Sequence, residues 1–147
     1  MKGSSMKAEP LPTTEDALST ETTMAAVMTA LPRTIAIDAT FAEAHALMRD
    51  HHCRHLPVVN GGVLVGVVSQ RDLYFFEMLN DLDPTRDYAA DAMSTHVLTT
   101  TANAKVREVA RAMAHEKYEC AVIIDDQRVA GIFTATDAFR YLAGEHP

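Results

Sequence analysis

The two halves of this sequence match each other at a constant offset of 65 residues. The match continues without a gap through a turn, two helices and two strands. Identical pairs are Met28 with Met93, Thr34 with Thr99, Ala39 with Ala104, Glu43 with Glu108, Met48 with Met113, Gly66 with Gly131, and Asp72 with Asp137. Chance similarity between two amphipathic segments rarely keeps one register over so many elements. The chain is therefore predicted to contain two copies of one unit.

Each copy predicts a strand, a helix, a strand, a hairpin, a strand and a helix, in that order. In the first copy, residues 34–37 are extended and Thr40 begins a helix, because Thr40 and Glu43 have the spacing of a capping box. This helix ends near residues 51–54, since Pro57 excludes a helix around itself. The remaining elements are strands at 56–59 and 63–68, a turn at 60–62, and a helix that begins after Ser69.

The second copy predicts the same elements: extended residues at 97–101, a helix at 105–116, strands at 120–124 and 128–133, a turn at 125–127, and a helix at 134–142. One difference concerns the start of the first helix, where Lys105 takes the place of Thr40. Lysine offers no side-chain acceptor for a backbone N–H. Thr101 or Asn103 is therefore expected to cap this helix instead.

This pattern predicts an α/β (α+β) fold made of two β-α-β-β-α repeats. The continuous apolar runs indicate strands that are covered on both faces. We divide the chain into a flexible N-terminal tail at 1–12, a first repeat with a leading helix at 13–82, a linker at 83–91 and a second repeat at 92–147. The leading helix is expected over residues 15–28.

Composition excludes several classes of function. The formal net charge of -7 gives no basic field, which argues against broad binding to nucleic acid or to anionic lipid. No apolar run approaches the length of a membrane helix, and the N-terminus lacks the apolar stretch of a secretory signal. Two cysteines are too few for a disulfide scaffold. We therefore expect a cytoplasmic protein without a nucleic-acid or membrane partner.

Each repeat carries the same short motif where its last strand ends and its last helix begins. Ser69 and Thr134 lie near a helix N-terminus, where free N–H groups and the helix dipole favour a phosphate. Asp72 and Asp137 follow one turn later, and an ionised carboxylate can accept hydrogen bonds from the hydroxyls of a ribose. The same spacing also forms a capping box. A purely structural role is the alternative, and the two roles are compatible.

The chain resembles the CBS domain pair, also called a Bateman module, over residues 24–143. The resemblance is carried by motifs that occur twice: Val-Met-Thr and Ala-Met-Ser at 27–29 and 92–94, and Gly-apolar-apolar-Ser/Thr-x-x-Asp at 66–72 and 131–137. Arg-His-Leu-Pro-Val-Val at 54–59 also matches the family's central strand. The resemblance implies small mixed sheets packed against helices, with pseudo-two-fold symmetry between the repeats.

The resemblance also implies a ligand, namely an adenosine nucleotide (AMP, ADP or ATP) or S-adenosylmethionine, with no cofactor required. In the family, such ligands sit in two clefts between the repeats. The Asp holds the ribose, the Ser or Thr helps to hold the phosphate, and the Thr-apolar segment packs the base. The candidate site residues are Thr34, Ile35, Arg54, His55, Leu56, Pro57, Ser69, Arg71, Asp72, Thr99, Thr100, Ala121, Val122, Thr134, Thr136 and Asp137.

The two predicted clefts differ in charge and polarity. Arg54 and His55 fall where basic residues bind phosphate in the family, whereas the counterpart of Arg54 is Glu119. A carboxylate near a phosphate lowers affinity, so the phosphate-binding charge is expected to be unequal. Thr100 is also more polar than its counterpart Ile35, which weakens base packing in the second cleft.

These features favour a regulatory module that binds its ligand and shifts between conformations, without catalysis. The alternative is a scaffold or dimerisation module that binds a protein partner and leaves the clefts unused. A homodimer is expected from the resemblance, with contacts through Leu73 and Phe76 and through Ala138 and Tyr141, unless these side chains complete the core of the monomer.

The run His-His-Cys-Arg-His at residues 51–55 suggests two other readings, a metal site and a thiol nucleophile. Adjacent residues at the end of a helix point in different directions, however, and no second ligand cluster is evident. No orienting partner for Cys53 is recognisable either. Neither reading is favoured over a polar helix end that continues into a strand.

Overall fold

The computed structural model describes residues 22–145. The order strand, helix, strand, strand, helix occurs twice in it. The first half contains α1 (Met24–Val27), β1 (Thr29–Ala30), β2 (Ile35–Ala36), α2 (Phe41–His51), β3 (His55–Asn60), β4 (Val63–Ser69) and α3 (Gln70–Leu79). The second half contains a 3₁₀-helix (Ala89–Ala92), β5 (Leu98–Thr100), α4 (Val106–Glu116), β6 (Cys120–Asp125), β7 (Arg128–Thr134) and α5 (Ala135–Leu142).

The predicted tail at 1–12 and the predicted helix before residue 22 lie outside the described residues. Within the described part, the leading helix is α1, which has four residues. The longest of the helices have 11 residues, and among residues 22–145 none is long and apolar enough to cross a membrane.

The strands form a mixed sheet in the order β2-β3-β4-β7-β6-β5, and β1 pairs with β7. β2 runs parallel to β3, and β5 runs parallel to β6. The pairs β3–β4 and β6–β7 are antiparallel. The two copies join where Val63 of β4 pairs with Arg128 of β7. Helices pack against this sheet, which confirms the predicted fold of two related α/β repeats.

The start of α2 confirms the predicted capping box. Thr40 Oγ1 accepts from the Glu43 amide at 3.2 Å, and Glu43 Oε2 accepts from the Thr40 amide at 2.9 Å. The prediction that Thr101 or Asn103 caps α4 is wrong. Lys105 is the N-cap without a side-chain capping bond, and the Thr101 hydroxyl donates to the Asn103 side chain instead.

The first amide of α4 finds its acceptor in a distant part of the chain. The amide of Val106, the first residue of α4, donates to the carbonyl of Thr22 at 3.0 Å. The first copy repeats this arrangement, since the amide of Phe41 donates to the carbonyl of Asp87 at 3.2 Å. A tertiary contact thus satisfies a helix end that the local sequence leaves open.

Each copy is completed by the segment that precedes the other copy. Met24 and Val27 of α1 are buried in the core of the second copy, and the Met24 amide donates to the carbonyl of Ala104 at 2.9 Å. In the same way, Ala89 is buried in the core of the first copy and its amide donates to the carbonyl of Ala39 at 2.8 Å. The core contacts therefore cross the repeat boundaries drawn from the sequence.

Two glycines allow these exchanged segments to approach the sheet. A Cβ atom on Gly66 would lie 2.6 Å from the Met93 sulfur and 2.8 Å from the Ser94 carbonyl oxygen. A Cβ atom on Gly131 would lie 2.5 Å from the Met28 sulfur and 3.2 Å from the Thr29 carbonyl oxygen. The close approach that glycine permits here is thus taken up by the chain itself.

The side chains considered for a dimer contact complete the monomer cores, which is the alternative that the sequence left open. Leu73 is fully buried and Tyr141 is 7% exposed, while Phe76 and Ala138 pack against the same cores. Because α3 and α5 are amphipathic, the stripe that carries these residues faces the sheet. The exposed apolar side chains of the two helices include instead Phe75, Met78, Leu79, Phe139 and Leu142.

Candidate functional site

A cleft of about 770 Å³ is lined by residues of both copies. It is bounded by the segment that follows β1, by the end of α2 and its loop to β3, and by the first turns of α3 and α5. The lining residues are Thr29, Leu31, Pro32, Arg33, His51, His52, Cys53, Arg54, His55, Ser69, Gln70, Arg71, Tyr74, Glu119, Ile132, Thr134, Ala135, Thr136, Asp137 and Arg140.

The predicted site residues fall into two groups. Those that line the cleft are Arg54, His55, Ser69, Arg71, Thr134, Thr136 and Asp137. The others do not line it: Ile35, Leu56, Pro57, Ala121 and Val122 are buried. Thr34 directly precedes β2, Thr99 and Thr100 lie on β5, and Asp72 lies in the first turn of α3. The cleft therefore brings together the basic residues of the first copy and the helix start of the second.

The start of α5 places Thr134 and Asp137 side by side in the cleft. Asp137 Oδ2 accepts from the Thr134 amide at 2.8 Å and from the Thr134 hydroxyl at 3.0 Å, while Thr134 Oγ1 accepts from the Asp137 amide at 3.2 Å. The other carboxylate oxygen of Asp137 lies 3.7 Å from an Arg140 nitrogen. The capping role is thus present and uses one oxygen, which leaves Oδ1 outside the capping bonds.

The start of α3 repeats this geometry in the first copy. Asp72 Oδ2 accepts from the Ser69 amide at 2.9 Å, and Ser69 Oγ accepts from the Asp72 amide at 3.0 Å. Ser69 reaches the cleft, whereas Asp72 does not line it. The two motifs of the sequence are therefore equivalent as helix caps but differ in their relation to this cleft.

Positive charge is concentrated in the cleft although the whole chain is acidic. Four arginines line it, Arg33, Arg54, Arg71 and Arg140, against the two carboxylates of Glu119 and Asp137. Three histidines, His51, His52 and His55, add further nitrogen donors. Arginine presents a planar set of donors that matches phosphate and carboxylate oxygens. The cleft is thus a local exception to the formal net charge of -7.

Glu119 is the carboxylate that reaches across from the second copy to the first. Its Oε1 lies 2.9 Å from Arg71 Nη1, and its Oε2 lies 3.4 Å from His55 Nε2. Partial burial raises the pKa of Glu119, but hydrogen bonds and charge from His55 and Arg71 outweigh this and hold the pKa below its usual range. Glu119 therefore stays ionised near neutral pH.

The apolar part of the lining includes an exposed leucine in a strained conformation. Leu31 is 82% exposed and has a φ of 47°, in the left-handed region that leucine seldom adopts. Its amide donates to the carbonyl of Ala130 at 3.0 Å, which holds the strained backbone against β7. Pro32, Tyr74 and Ile132 also line the cleft. Such strain is concentrated at functional sites.

No signal in the sequence indicated that Leu31, Pro32 and Arg33 line the cleft. The repeat register assigned this segment to the first copy, but β1 pairs with β7, so the segment that follows it faces α5 of the second copy. The Val-Met-Thr motif at 27–29 marks the segment in the sequence. Its spacing does not reveal which copy the segment packs against.

Both thiols have a raised pKa, whereas a cysteine nucleophile needs a lowered one. Burial raises the pKa of Cys53, although a backbone hydrogen bond and the charge of Arg33 act in the other direction. Burial, with the charges of Glu119 and Asp72, raises the pKa of Cys120 to about 11. Both thiols are thus protonated near neutral pH, where a nucleophile needs a thiolate.

Within residues 22–145, no group of three or more His, Cys, Asp or Glu side chains is placed to hold a metal ion.

The raised pKa of Cys120 predicts a loss of stability in alkali. Its usual pKa is 9.0, so above pH 9 the unfolded chain releases a proton that the folded chain keeps up to about pH 11. Ionisation of Cys120 leaves the free energy of unfolding unchanged below pH 9. It lowers that free energy as pH rises from 9 to 11, by about 1 kcal/mol at pH 10. Urea unfolding of wild type and Cys120→Ala at pH 8 and pH 10 measures this. An equal decline in both proteins would contradict it.

Comparison with known proteins identifies similar chains. The family model for the CBS domain matches residues 24–77 and 89–144. An inosine-5'-monophosphate dehydrogenase of Korarchaeum cryptofilum is 33% identical over 107 residues, which are 72% of this chain but 21% of that enzyme. The chain thus corresponds to a small part of that relative.

Two solved structures share the fold closely. A putative acetoin utilization protein (AcuB) from Vibrio cholerae has a TM-score of 0.75 and 27% identity, and the match covers 84% of this chain and 91% of that one. The CBS domain pair of protein MJ0100, solved in complex with 5'-methylthioadenosine and S-adenosyl-L-methionine, has a TM-score of 0.75 and 26% identity. This match covers 84% of this chain and 97% of that one.

Proposed function

This chain belongs to the CBS domain family and carries the domain twice, and from that premise we propose that it is a regulatory module that binds an adenosine nucleotide in the cleft described above. The observation that carries the proposal is the convergence of Asp137 with four arginines in one cleft. This set matches the ribose and the phosphate of a nucleotide.

The chemistry of each part of the cleft supports this assignment. Asp137 Oδ1 lies outside the capping bonds and has only the 3.7 Å contact with Arg140, so it can accept from ribose hydroxyls. The positive end of the α5 dipole, where Thr136 lines the cleft, suits a phosphate, with the arginines as counter-charges. Leu31, Pro32 and Ile132 supply apolar surface for the base. A protein of the same fold binds two adenosine-containing ligands.

The charge of the cleft favours a phosphorylated ligand. AMP, ADP and ATP carry anionic phosphates, whereas S-adenosylmethionine has no phosphate and carries a sulfonium, an ammonium and a single carboxylate. Four arginines against two carboxylates therefore attract the first group more strongly than the second, whose net charge is positive. We therefore place AMP, ADP and ATP ahead of S-adenosylmethionine among the candidate ligands.

Regulation follows from the origin of the lining residues. The 29–33 segment and residues 51–55 belong to the first half of the chain, while Thr134 and the lining residues of α5 belong to the second. A ligand that contacts all three stabilises the arrangement of the copies in which they converge. Its effect on that equilibrium is limited by its differential affinity for the two arrangements, and no bond needs to form or break.

Isothermal titration with AMP, ADP, ATP and S-adenosylmethionine tests the proposal. Asp137→Ala is expected to weaken the preferred ligand about tenfold, because it removes a charged acceptor. Glu43→Ala is the matched control, since it deletes the carboxylate of a capping box that lies outside the cleft, and it should bind like wild type. Asp72→Ala should also retain this cleft's affinity.

Two outcomes contradict the proposal. One is wild-type affinity in Asp137→Ala. The other is the absence of binding to wild type for all four ligands at millimolar concentration. Thermal unfolding of each variant separates loss of the site from loss of the cap, because a lost cap lowers the stability of Asp137→Ala and Glu43→Ala alike.

A second candidate function is association with another copy or with a protein partner. The observation that favours it is the group of exposed apolar side chains on α3 and α5: Phe75, Met78, Leu79, Phe139 and Leu142. Sedimentation of wild type and of Met78→Glu tests it. A dimer that becomes monomeric in the variant supports association through this face, and a monomeric wild type contradicts self-association.

A further inference from the structure

Glu119 takes the position in the second copy that Arg54 has in the first. The carbonyl of Glu119 accepts from the amide of Ala135, the first residue of α5, at 2.9 Å. In the first copy, the carbonyl of Arg54 accepts from the amide of Gln70, the first residue of α3, at the same distance. Each helix start is therefore flanked by one charged residue, and the sign of that charge is opposite in the two copies.

The Glu119 carboxylate engages the side chains of an arginine and a histidine in the cleft. It bridges Arg71 Nη1 at 2.9 Å and His55 Nε2 at 3.4 Å, both from the other copy. These contacts are accessible to water, since the side chain of Glu119 is 51% exposed and that of Arg71 is 80% exposed. Exposed ion pairs contribute little to stability, so another anion can replace this one at low cost.

We propose that Glu119 is a built-in competitor of the ligand phosphate, which sets the affinity of the cleft according to the negative charge of the ligand. A phosphate at the start of α5 must take Arg71 and His55 from Glu119 and is also repelled by the carboxylate that it displaces. Both effects grow with the charge of the phosphate chain and are absent for an uncharged nucleoside. The lowered pKa of Glu119 keeps the competitor charged throughout the neutral range. This inference rests on the proposed nucleotide function.

The test compares four ligands that differ in phosphate charge, namely adenosine, AMP, ADP and ATP. Isothermal titration of Glu119→Gln, which keeps the shape of the side chain, is expected to show AMP bound about threefold tighter than by wild type. The gain should rise to about tenfold for ATP, and adenosine should bind equally to both proteins. In an Arg71→Ala background the gain from Glu119→Gln should shrink, because the arginine that Glu119 would release is missing.

Glu116→Gln is the matched control, because it removes the same charge from an exposed residue near the end of α4 that does not line the cleft. The inference is overturned if Glu119→Gln binds AMP and ATP no tighter than wild type does. It is also overturned if adenosine gains as much as ATP, or if Glu116→Gln gives the same gain. Nucleotide binding to wild type without a gain in Glu119→Gln refutes the competitor alone, whereas no binding to either protein refutes the proposed function with it.

Discussion

Met24→Ala is expected to lower the free energy of unfolding by about 2–5 kcal/mol, which is the usual cost of truncating a large side chain inside a core. Met24 has no exposed surface and packs among Val109, Phe133 and other residues of the second copy's core. Met78→Ala makes the same chemical change at a side chain that is 82% exposed. At a protein concentration at which wild type sediments as a monomer, this control should change the stability by less than about 0.5 kcal/mol.

Urea unfolding followed by circular dichroism measures both variants, with the change read from the midpoint at a common slope. The comparison asks whether α1 belongs to the folded unit of the second copy. If α1 were only a leader to the first repeat, Met24→Ala and Met78→Ala would have equally small effects. That result would contradict the exchange of segments between the copies.

The second large effect is expected for Gly66→Ala, which should destabilise the protein by about 3 kcal/mol, near the upper end for overpacking. The added Cβ would lie 2.8 Å from the Ser94 carbonyl oxygen, a backbone atom that cannot move alone. Ser94 is held in place because its amide and carbonyl exchange hydrogen bonds with Val67 at 2.8 and 3.0 Å. The substitution must therefore push Met93 and Ser94 away from β4.

Gly131→Ala is the matched comparison at the equivalent position of the second copy. Its Cβ would meet chiefly the flexible Met28 side chain, and the nearest backbone atom, the Thr29 carbonyl oxygen, lies at 3.2 Å. A loss of about 1 kcal/mol is expected, because methionine can adopt another rotamer. Urea unfolding of both variants gives the order, and a Gly131→Ala that is as unstable as Gly66→Ala would contradict this account.

The exchange of segments also connects the cleft to the core. Leu31, Pro32 and Arg33 line the cleft a few residues after Met24 and Val27, which are buried in the second copy. A ligand that orders the 29–33 segment thus acts on a stretch of chain anchored in one copy and continuous with the other. This is the structural basis for the proposed shift between arrangements of the two copies.

Local patterns predicted the elements of each repeat well. The spacing of Thr40 and Glu43 predicted the start of α2, and Pro57 predicted where α2 ends. The expected cap of α4 was wrong, because the Thr101 hydroxyl donates to the Asn103 side chain and Lys105 is the N-cap. For Leu73 and Tyr141 the sequence left both a dimer contact and the monomer core open, and the structure places both side chains in the cores.

In the candidate site too, local motifs were predicted from the sequence and contacts between the two copies were not. The Ser/Thr-x-x-Asp spacing predicted both helix starts, since a capping box is formed by residues within one turn. The distribution of charge was only partly accessible, because Glu119 was recognised as the counterpart of Arg54 but not as a partner of Arg71 and His55. Those three residues meet across the two copies.

Sequence alone determined the duplication, the order of helices and strands, and the motif at each helix start, because all three depend on residues that are neighbours along the chain or on a constant offset between copies. Tertiary structure decided which copy each leading segment completes and which charges share the cleft. The physical reason is that both copies present similar apolar surfaces to these segments. Gly66 and Gly131 permit the same close approach in both copies, so the choice depends on core contacts between residues far apart in sequence.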